Sequence, residues 1–238
     1  MDLIKENINN LTGLWSLAGR LDGQFLSSEE YAISTVAESE WPNKMWFHLP
    51  PTKKILEKTF RAWNSKGIGV ALWYPDITKE LLESHGLTLK NELTGMSMQL
   101  NGSIDHNQRL TYRRVTDAGL AALWSSLFLK AFGYWINPST VERTMDKVDY
   151  LIGNKGQEAI GTAVLFKESP AVAGIHSIGV VPEHRRKGYA ADLLNHVLGL
   201  AEKEGVCFVT LQASSMAKGL YLKTGFQEDF LLKTFVKS

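Results

Sequence analysis

The run from Ala173 to Leu194, AGIHSIGVVPEHRRKGYAADLL, constrains the fold of this chain most. A β-rich segment breaks at a proline-bearing turn and resumes as a helix through Arg185-x-x-Gly188-x-Ala190. A strand delivered into a helix start makes an anion seat. The amides of the first turn have no acceptor within the helix, the helix dipole adds partial positive charge, and Gly188 lets a ligand approach the backbone closely. Arg185, Arg186 and Lys187 add three cations at the same point. Amides and charge together suit a pyrophosphate, so the segment reads as the seat of a phosphate-bearing cofactor. Its spacing is neither that of a P-loop nor the three-glycine fingerprint of a dinucleotide site.

Downstream, Val206 to Gln212 (VCFVTLQ) is a second apolar strand, and Ala213 to Phe226 (ASSMAKGLYLKTGF) reads as a helix that carries Tyr221 ahead of Gly225 and Phe226. Strand, loop, helix, strand and helix follow one another over about fifty residues. This combination resembles the GCN5-related N-acetyltransferase (GNAT) family, whose acetyl-CoA loop reads Gln/Arg-x-x-Gly-x-Gly/Ala after a strand ending in a hydrophobic-x-Pro. The ending Tyr-x-x-x-Gly-Phe is similar to that of the family's closing helix.

The polar stretch Asn101 to Arg109 (NGSIDHNQR) opens on a turn-favouring Asn-Gly pair and separates two segments of periodic apolar residues. It sets a boundary between residues 1–104 and 105–238. After it, Leu110 to Val115 reads as a strand, Ala118 to Phe132 as an amphipathic helix, and Pro138 to Lys147 as a helix capped by Asn137 or Ser139. Asp149 to Gly153 and Ala159 to Phe166 form a hairpin around Asn154 to Gly156, and Val172 to Val181 is the central strand. The resulting order, β-α-α-β-β-β-α-β-α-β, agrees with an α/β acetyltransferase fold with a mixed sheet.

The first half holds an echo of the second. When Gly67 to Leu100 is set beside Gly205 to Ser238 with one extra residue in the later copy, Gly86 falls on Gly225 and Leu87 on Phe226. A tandem duplication explains this, as do two unrelated strand-helix-strand pieces that meet common packing needs. Leu82 stands where Tyr221 stands, and HLPPTKKILEKTF lacks the Arg-x-x-Gly-x-Ala pattern. Under duplication, the first half is a degenerate GNAT-like copy without cofactor loop or acid, and each chain has one active site.

The resemblance implies site residues. Backbone groups of Ile178, Gly179 and Val180 pair with the pantetheine arm of acetyl-CoA, and an amide there stabilises a developing oxyanion. Arg185, Arg186, Lys187, Gly188, Tyr189 and Ala190 hold the pyrophosphate. Tyr221 is the general acid: a phenol with a pKa of about 10 is protonated at neutral pH and can give its proton to a departing thiolate. Seven residues earlier, Ser214 stands where many members carry a cofactor-contacting asparagine. His176, two residues before Ile178, is the candidate base, near where members often place a glutamate. A lone histidine on a strand also serves as a hydrogen-bonded core group, and water alone can carry the proton away. His184 and His196 read as surface residues.

The acceptor is a primary amine of a small molecule or peptide by default. Phe132, Tyr134 and Trp135 either line its pocket or plug the core between helices. Trp15, Trp41, Trp46, Trp63 and Trp73 either close over the acceptor or pack between two sheets. The same seat could serve a different acyl-CoA, or a CoA sensor without turnover. Composition adds boundaries. At 238 residues and 44% hydrophobic, the chain can bury a sizeable core. Its one cysteine, Cys207, excludes an internal disulfide, reads as a small hydrophobe inside the second strand, and suits the cytoplasm. With a net charge of +1 and no basic stripe beyond Arg185 to Lys187, nucleic acid is not an expected partner. No run approaches the ~20 apolar residues of a membrane span. No metal is expected, and the state is monomer or homodimer.

Overall fold

The computed structural model describes residues 1–62, 67–75, 77, 79–102 and 109–237, apart from the side chains at 61, 62, 79 and 80. Trp63 and the boundary at 104/105 lie outside the described residues. The elements run α1 (Leu3–Asp22), β1 (Gln24–Ser27), β2 (Tyr31–Thr35), β3 (Lys44–Phe47), α2 (Lys53–Ala62), β4 (Gly69–Leu72), α3 (Lys79–Glu83) and β5 (Leu87–Gln99). Then follow β6 (Thr111–Arg114), α4 (Ala118–Phe132), α5 (Pro138–Thr144), β7 (Asp149–Lys155), β8 (Glu158–Lys167), β9 (Val172–Val180), α6 (Tyr189–Lys203), β10 (Phe208–Ala213), α7 (Ser215–Thr224) and β11 (Gln227–Lys237). The second group reproduces the order expected from the sequence.

Local chemistry fixes the helix ends. Asp117 caps α4 by accepting from the Leu120 amide, and Gly133 ends it in the left-handed region at φ 78°. Asn137 caps α5 with Pro138 at its first position, and Ser214 caps α7 through the Ala217 amide. α5 stops at Thr144, three residues before the expected Lys147.

The eleven strands among the described residues share one mixed sheet in the order β1-β2-β3-β4-β11-β5-β10-β9-β8-β7-β6. Leave β6 aside and the order matches inward from both ends, because the last strand of each half crosses over. β5 pairs with β10, and β11 pairs with β4, while β5 and β11 pair with each other at the centre. The parallel pairs correspond too. β3 and β4 keep the register Lys44↔Gly69 to Trp46↔Ala71, and β9 and β10 keep Val172↔Phe208 to Gly174↔Thr210. Gly86 and Gly225, the aligned glycines, both follow a helix with positive φ, 75° and 109°.

α1 ties the halves together. On one side Leu11 and Trp15 pack with Trp46, Ala71 and Leu232. On the other, Asn7 donates to the Met96 and Leu211 carbonyls at 3.0 and 3.3 Å, and Asn10 donates to the Phe166 carbonyl at 2.8 Å. Both buried side-chain amides thus find acceptors among the sheet carbonyls beneath the crossing helix.

Two expectations are corrected. Cys207 is exposed, because β10 begins one residue later and Cys207 is part of the turn leading in. His184 is buried: its Nε2 meets Glu158 at 3.0 Å, so the turn folds inward where the sequence suggests a surface loop. His196 stacks on Tyr112 with ring centroids 3.6 Å apart. Trp15, Trp41, Trp46 and Trp73 pack together where α1 meets the sheet, not between two sheets.

Candidate active site

β9 and β10 part company after Gly174 and Thr210, although β9 runs on to Val180 and β10 to Ala213. Beyond that point the edge of β9 facing β10 has no strand partner, and its backbone groups other than the Val180 carbonyl, which Arg185 takes, are left for a ligand. Both strands point the same way, and both deliver helices, α6 and α7, at the open end. A crevice at the carboxyl ends of parting parallel strands is where open α/β sheets bind ligands.

A bulge marks β9 inside this crevice. Between the pairs Val164↔His176 and Thr162↔Gly179, the single residue Ala163 faces both Ser177 and Ile178. Ser177 takes φ 55°, and its carbonyl accepts from Thr162 Oγ1 at 2.9 Å. The bulge shifts the alternation, so His176 and Gly179 face the same side. On that side a Cβ at Gly179 would overlap the ring of Phe132, and one at Gly174 would overlap Asn10 Oδ1. Glycine at both positions lets α4 and α1 close onto the strand.

The loop after β9 makes a single turn at Pro182–His184 and enters α6 at Gly188. Arg186 and Gly188 are left-handed, at φ 59° and 84°. No side chain caps α6, and among the described residues the amides of Arg186 to Ala190 have no acceptor. These alternating conformations with free amides form an anion nest at a helix start. The three cations divide their work. Arg186 is exposed, while Lys187 donates to the Glu183 carbonyl at 2.9 Å. Arg185 turns inward: its Nε donates to the Val180 carbonyl at 3.1 Å and its Nη2 to the Ala131 carbonyl at 2.7 Å. It braces the loop, and the amides and Arg186 stay free to meet an anion.

Arg109, which sequence reasoning missed, lies beside this nest. It pairs with Asp192 in the first turn of α6 at 2.8 Å, donates to the Lys187 carbonyl at 3.1 Å, and lies over the Tyr189 ring at 5.3 Å. A Cβ at Gly188 would come within 2.7 Å of its Nη2. Arg109 stands eighty-three residues from Asp192, and no local spacing reveals that pairing.

Tyr221 is buried on α7, edge-on to Phe226 with centroids 5.7 Å apart. Burial pushes its phenol up to about 12, so it holds its proton throughout the neutral range. Its hydroxyl has no protein partner among the described residues. The Ser214 hydroxyl, by contrast, is engaged in capping α7.

His176 lies beneath α1. Its Nε2 meets Asn10 Oδ1 at 3.0 Å, and Asn10 commits its own amide to Phe166, so the histidine is the donor. Burial pulls the imidazole down to about 4 against the opposing hydrogen bond with Gln212, whose own amide donates to Asn7 Oδ1 at 2.5 Å. His176 therefore belongs to a polar chain, Asn7, Gln212, His176 and Asn10, that stitches α1 to β9 and β10. Beside it, a cavity of about 40 Å³ reaches Ser177 at the bulge under walls that include Leu14, Trp41 and Trp124.

The aromatic loop after α4 divides likewise. Tyr134 packs edge-on to Phe128 at 4.9 Å, and burial raises its phenol to about 12. Phe132, 39% exposed, covers Gly179 at the crevice. Trp135 exchanges main-chain contacts with the first half: the Glu40 amide donates to its carbonyl at 2.8 Å, and its amide donates to Glu40 Oε2 at 2.6 Å. Among the described residues no group of three or more His, Cys, Asp and Glu side chains could hold a metal ion, and no helix is long and apolar enough to cross a membrane.

The parallel central strands of the mixed α/β sheet thus part beside an amide-lined helix start. Residues 121–226 match the model of the acetyltransferase (GNAT) family, a span that runs from within α4 to the end of α7. A GCN5-related N-acetyltransferase from Kribbella flavida superimposes with a TM-score of 0.70 at 16% identity, covering 98% of this chain and 94% of that one. A functionally unknown conserved protein from Staphylococcus epidermidis gives 0.67 at 14% identity, covering 91% and 94%. A GNAT-family acetyltransferase from Novosphingobium aromaticivorans gives 0.62 at 15% identity, covering 94% and 95%. The GNAT-like fold therefore extends across the chain. A comparison with curated proteins gave no match.

Proposed function

We propose that this chain is an N-acetyltransferase that passes the acetyl group of acetyl-CoA to a primary amine of a small molecule or peptide by direct attack in a ternary complex. The observation that carries the reading is the row of acceptor-free amides from Arg186 to Ala190 at the mouth of the parted strands. It fits a pyrophosphate as hydrogen-bond donors and as a helix start. Arg186 adds charge; Arg185, Arg109 and Asp192 hold the loop in shape.

Acetyl-CoA supplies the acyl group as a thioester, whose carbon–sulfur bond breaks as the amine nitrogen bonds to the carbonyl carbon. An amide on the open edge of β9, within Ile178 to Val180, donates to the carbonyl oxygen. Tyr221 gives its proton to the leaving sulfur, a role supported by its burial and its high pKa. His176, tied to Asn10 and a feeble base at a pKa of about 4, positions β9, and the proton from the ammonium passes to water.

We read residues 1–104 as a degenerate GNAT-like half and 105–238 as the catalytic half, with one site per chain. The symmetric strand order and the matched three-residue parallel registers support this. Exchange of β5 and β11 makes each half complete the other's sheet. The single cysteine fits a reducing compartment, and we read the protein as cytoplasmic.

The test is free-thiol release from acetyl-CoA across a panel of primary amines. Amine-dependent release that Tyr221→Phe reduces supports the enzyme; tight CoA binding with no release for any amine would leave a CoA sensor instead.

A further inference from the structure

Lys44, which opens β3, is used by none of the steps proposed for catalysis. Its register neighbours are Ser34 on β2 and Gly69 on β4, and residues directly opposed across strands share a face of the sheet. That face is the one under α1, because the Ser34 hydroxyl donates to the Trp15 carbonyl at 2.6 Å. The lysine stem lies across Gly69: a Cβ there would come within 3.2 Å of Lys44 Nζ and 2.7 Å of Thr234 Cγ2. The ammonium is thus carried over β4 toward β11, where Thr234 pairs with Asn91 of β5. At the next step the ladder slips to Phe235↔Leu89, and Lys90 is the residue left in the bulge. We propose that Lys44 and Lys90 together form an anion subsite for the acceptor, so that the amine acetylated here also carries a carboxylate, an assignment that rests on the transferase reading.

Position favours it first. β5 pairs with β10 only as far as Thr94↔Ala213, yet it begins seven residues earlier, at Leu87. Because β5 and β10 are antiparallel, that extra length projects at the end where β9 runs on six residues past Gly174. The β5 bulge and the open edge of β9 therefore flank the gap that β10 leaves. Trp41, three residues before Lys44, lines the small cavity that ends at His176 and Ser177, which brings the start of β3 to the same place. The faces agree as well. A Cβ at Gly161, opposite Val180, would meet Leu193 of α6, whereas one at Gly179 would meet Phe132 of α4. The anion nest at the start of α6 therefore lies on the face away from α1 and α4, and an acceptor entering beside α1 approaches from the side opposite the nest.

Charge points the same way. Among the described residues no hydrogen bond or ion pair engages the Lys44 ammonium. Burial, with Lys90 as a like charge beside it, pulls its pKa down to about 8, and no carboxylate opposes them. At pH 7 it is still a cation, half-buried next to another. A carboxylate relieves this, since its two oxygens can take one ammonium each in charge-assisted hydrogen bonds. A second cation in that place is repelled, which disfavours simple diamines.

Thiol release from acetyl-CoA by the full chain tests this with α- and ω-amino acids, each beside the amine that lacks its carboxyl group. The amino acids should give kcat/KM at least about tenfold higher than their partners. Lys44→Met should raise KM for the amino acids about tenfold more than for the partner amines, with the dissociation constant for CoA unchanged; Lys44→Arg, which keeps the charge, should restore part of the loss. Should Lys44→Met not fold, Lys90→Met on the exposed bulge carries the same comparison. Equal use of amino acid and partner amine, a KM that neither variant moves selectively, or a preference for O-phosphoethanolamine over every amino acid overturns the carboxylate subsite while the transferase stands. No thiol release with any amine sinks the transferase reading, and this subsite with it.

Discussion

Arg185 Nη2 donates to the Ala131 carbonyl at 2.7 Å, joining the first residue of the loop motif to the last turn of α4. Through its Nε the same guanidinium reaches Val180 at the end of β9. It therefore fixes three elements at the crevice: strand, loop and the helix end that carries Phe132. A planar two-pronged donor suits this and an ammonium does not. Arg185→Lys should lower stability by about 1 to 2 kcal/mol and weaken CoA binding without removing it. Thermal melting beside calorimetry checks this; a stable variant with normal affinity would show that the brace is idle.

At Gly188, φ is 84° and the first free amides of α6 begin. Gly188→Ala imposes about 1 to 2 kcal/mol of backbone strain and drives a methyl to within 2.7 Å of Arg109 Nη2, which displaces the guanidinium that shapes the loop. Binding of CoA should fall by about tenfold or more, a larger effect than Arg186→Ala, which removes charge but leaves the amides.

The Tyr221 phenol, pushed up to about 12, should show no alkaline limb in the pH–rate profile below about pH 10. Tyr221→Phe should cut turnover at least about tenfold with little change in the dissociation constant for acetyl-CoA, the pattern expected when a proton donor is lost. Equal loss in binding would assign Tyr221 a packing role.

For His176 the direction follows from burial. Its imidazole, at about 4, lies below the ordinary 6.5, so the unfolded chain takes up a proton first as pH falls. Stability is complete above about pH 6.5 and declines toward pH 4, by ~2 kcal/mol after allowing for partial exposure. In His176→Gln that slope should flatten, with turnover kept within a few-fold. A loss of activity comparable to Tyr221→Phe would instead make His176 the base.

Much of the second half is legible in the chain. Ala118 to Phe132 is a helix with the stated ends because Asp117 and Gly133 are local signals, and the nest at Arg186 to Ala190 follows from a strand, a proline turn and a glycine. What is not legible depends on distant partners. The exchange of β5 and β11 sets a strand from the middle of the chain beside the last strand, and nothing within either strand encodes it. Asn10 reaches His176 across 166 residues, and no local spacing shows that this imidazole is hydrogen-bonded beneath α1. The inward turn of Arg185 depends on a carbonyl fifty-four residues away. Cys207 fails for a different reason: strand periodicity does not reveal that β10 starts one residue late.

Titration of the purified chain with acetyl-CoA in a calorimeter probes the proposed seat at Arg185 to Ala190 without any amine. One site per chain with a dissociation constant on the order of micromolar is expected. No heat of binding, or two equivalent sites per chain, would contradict it.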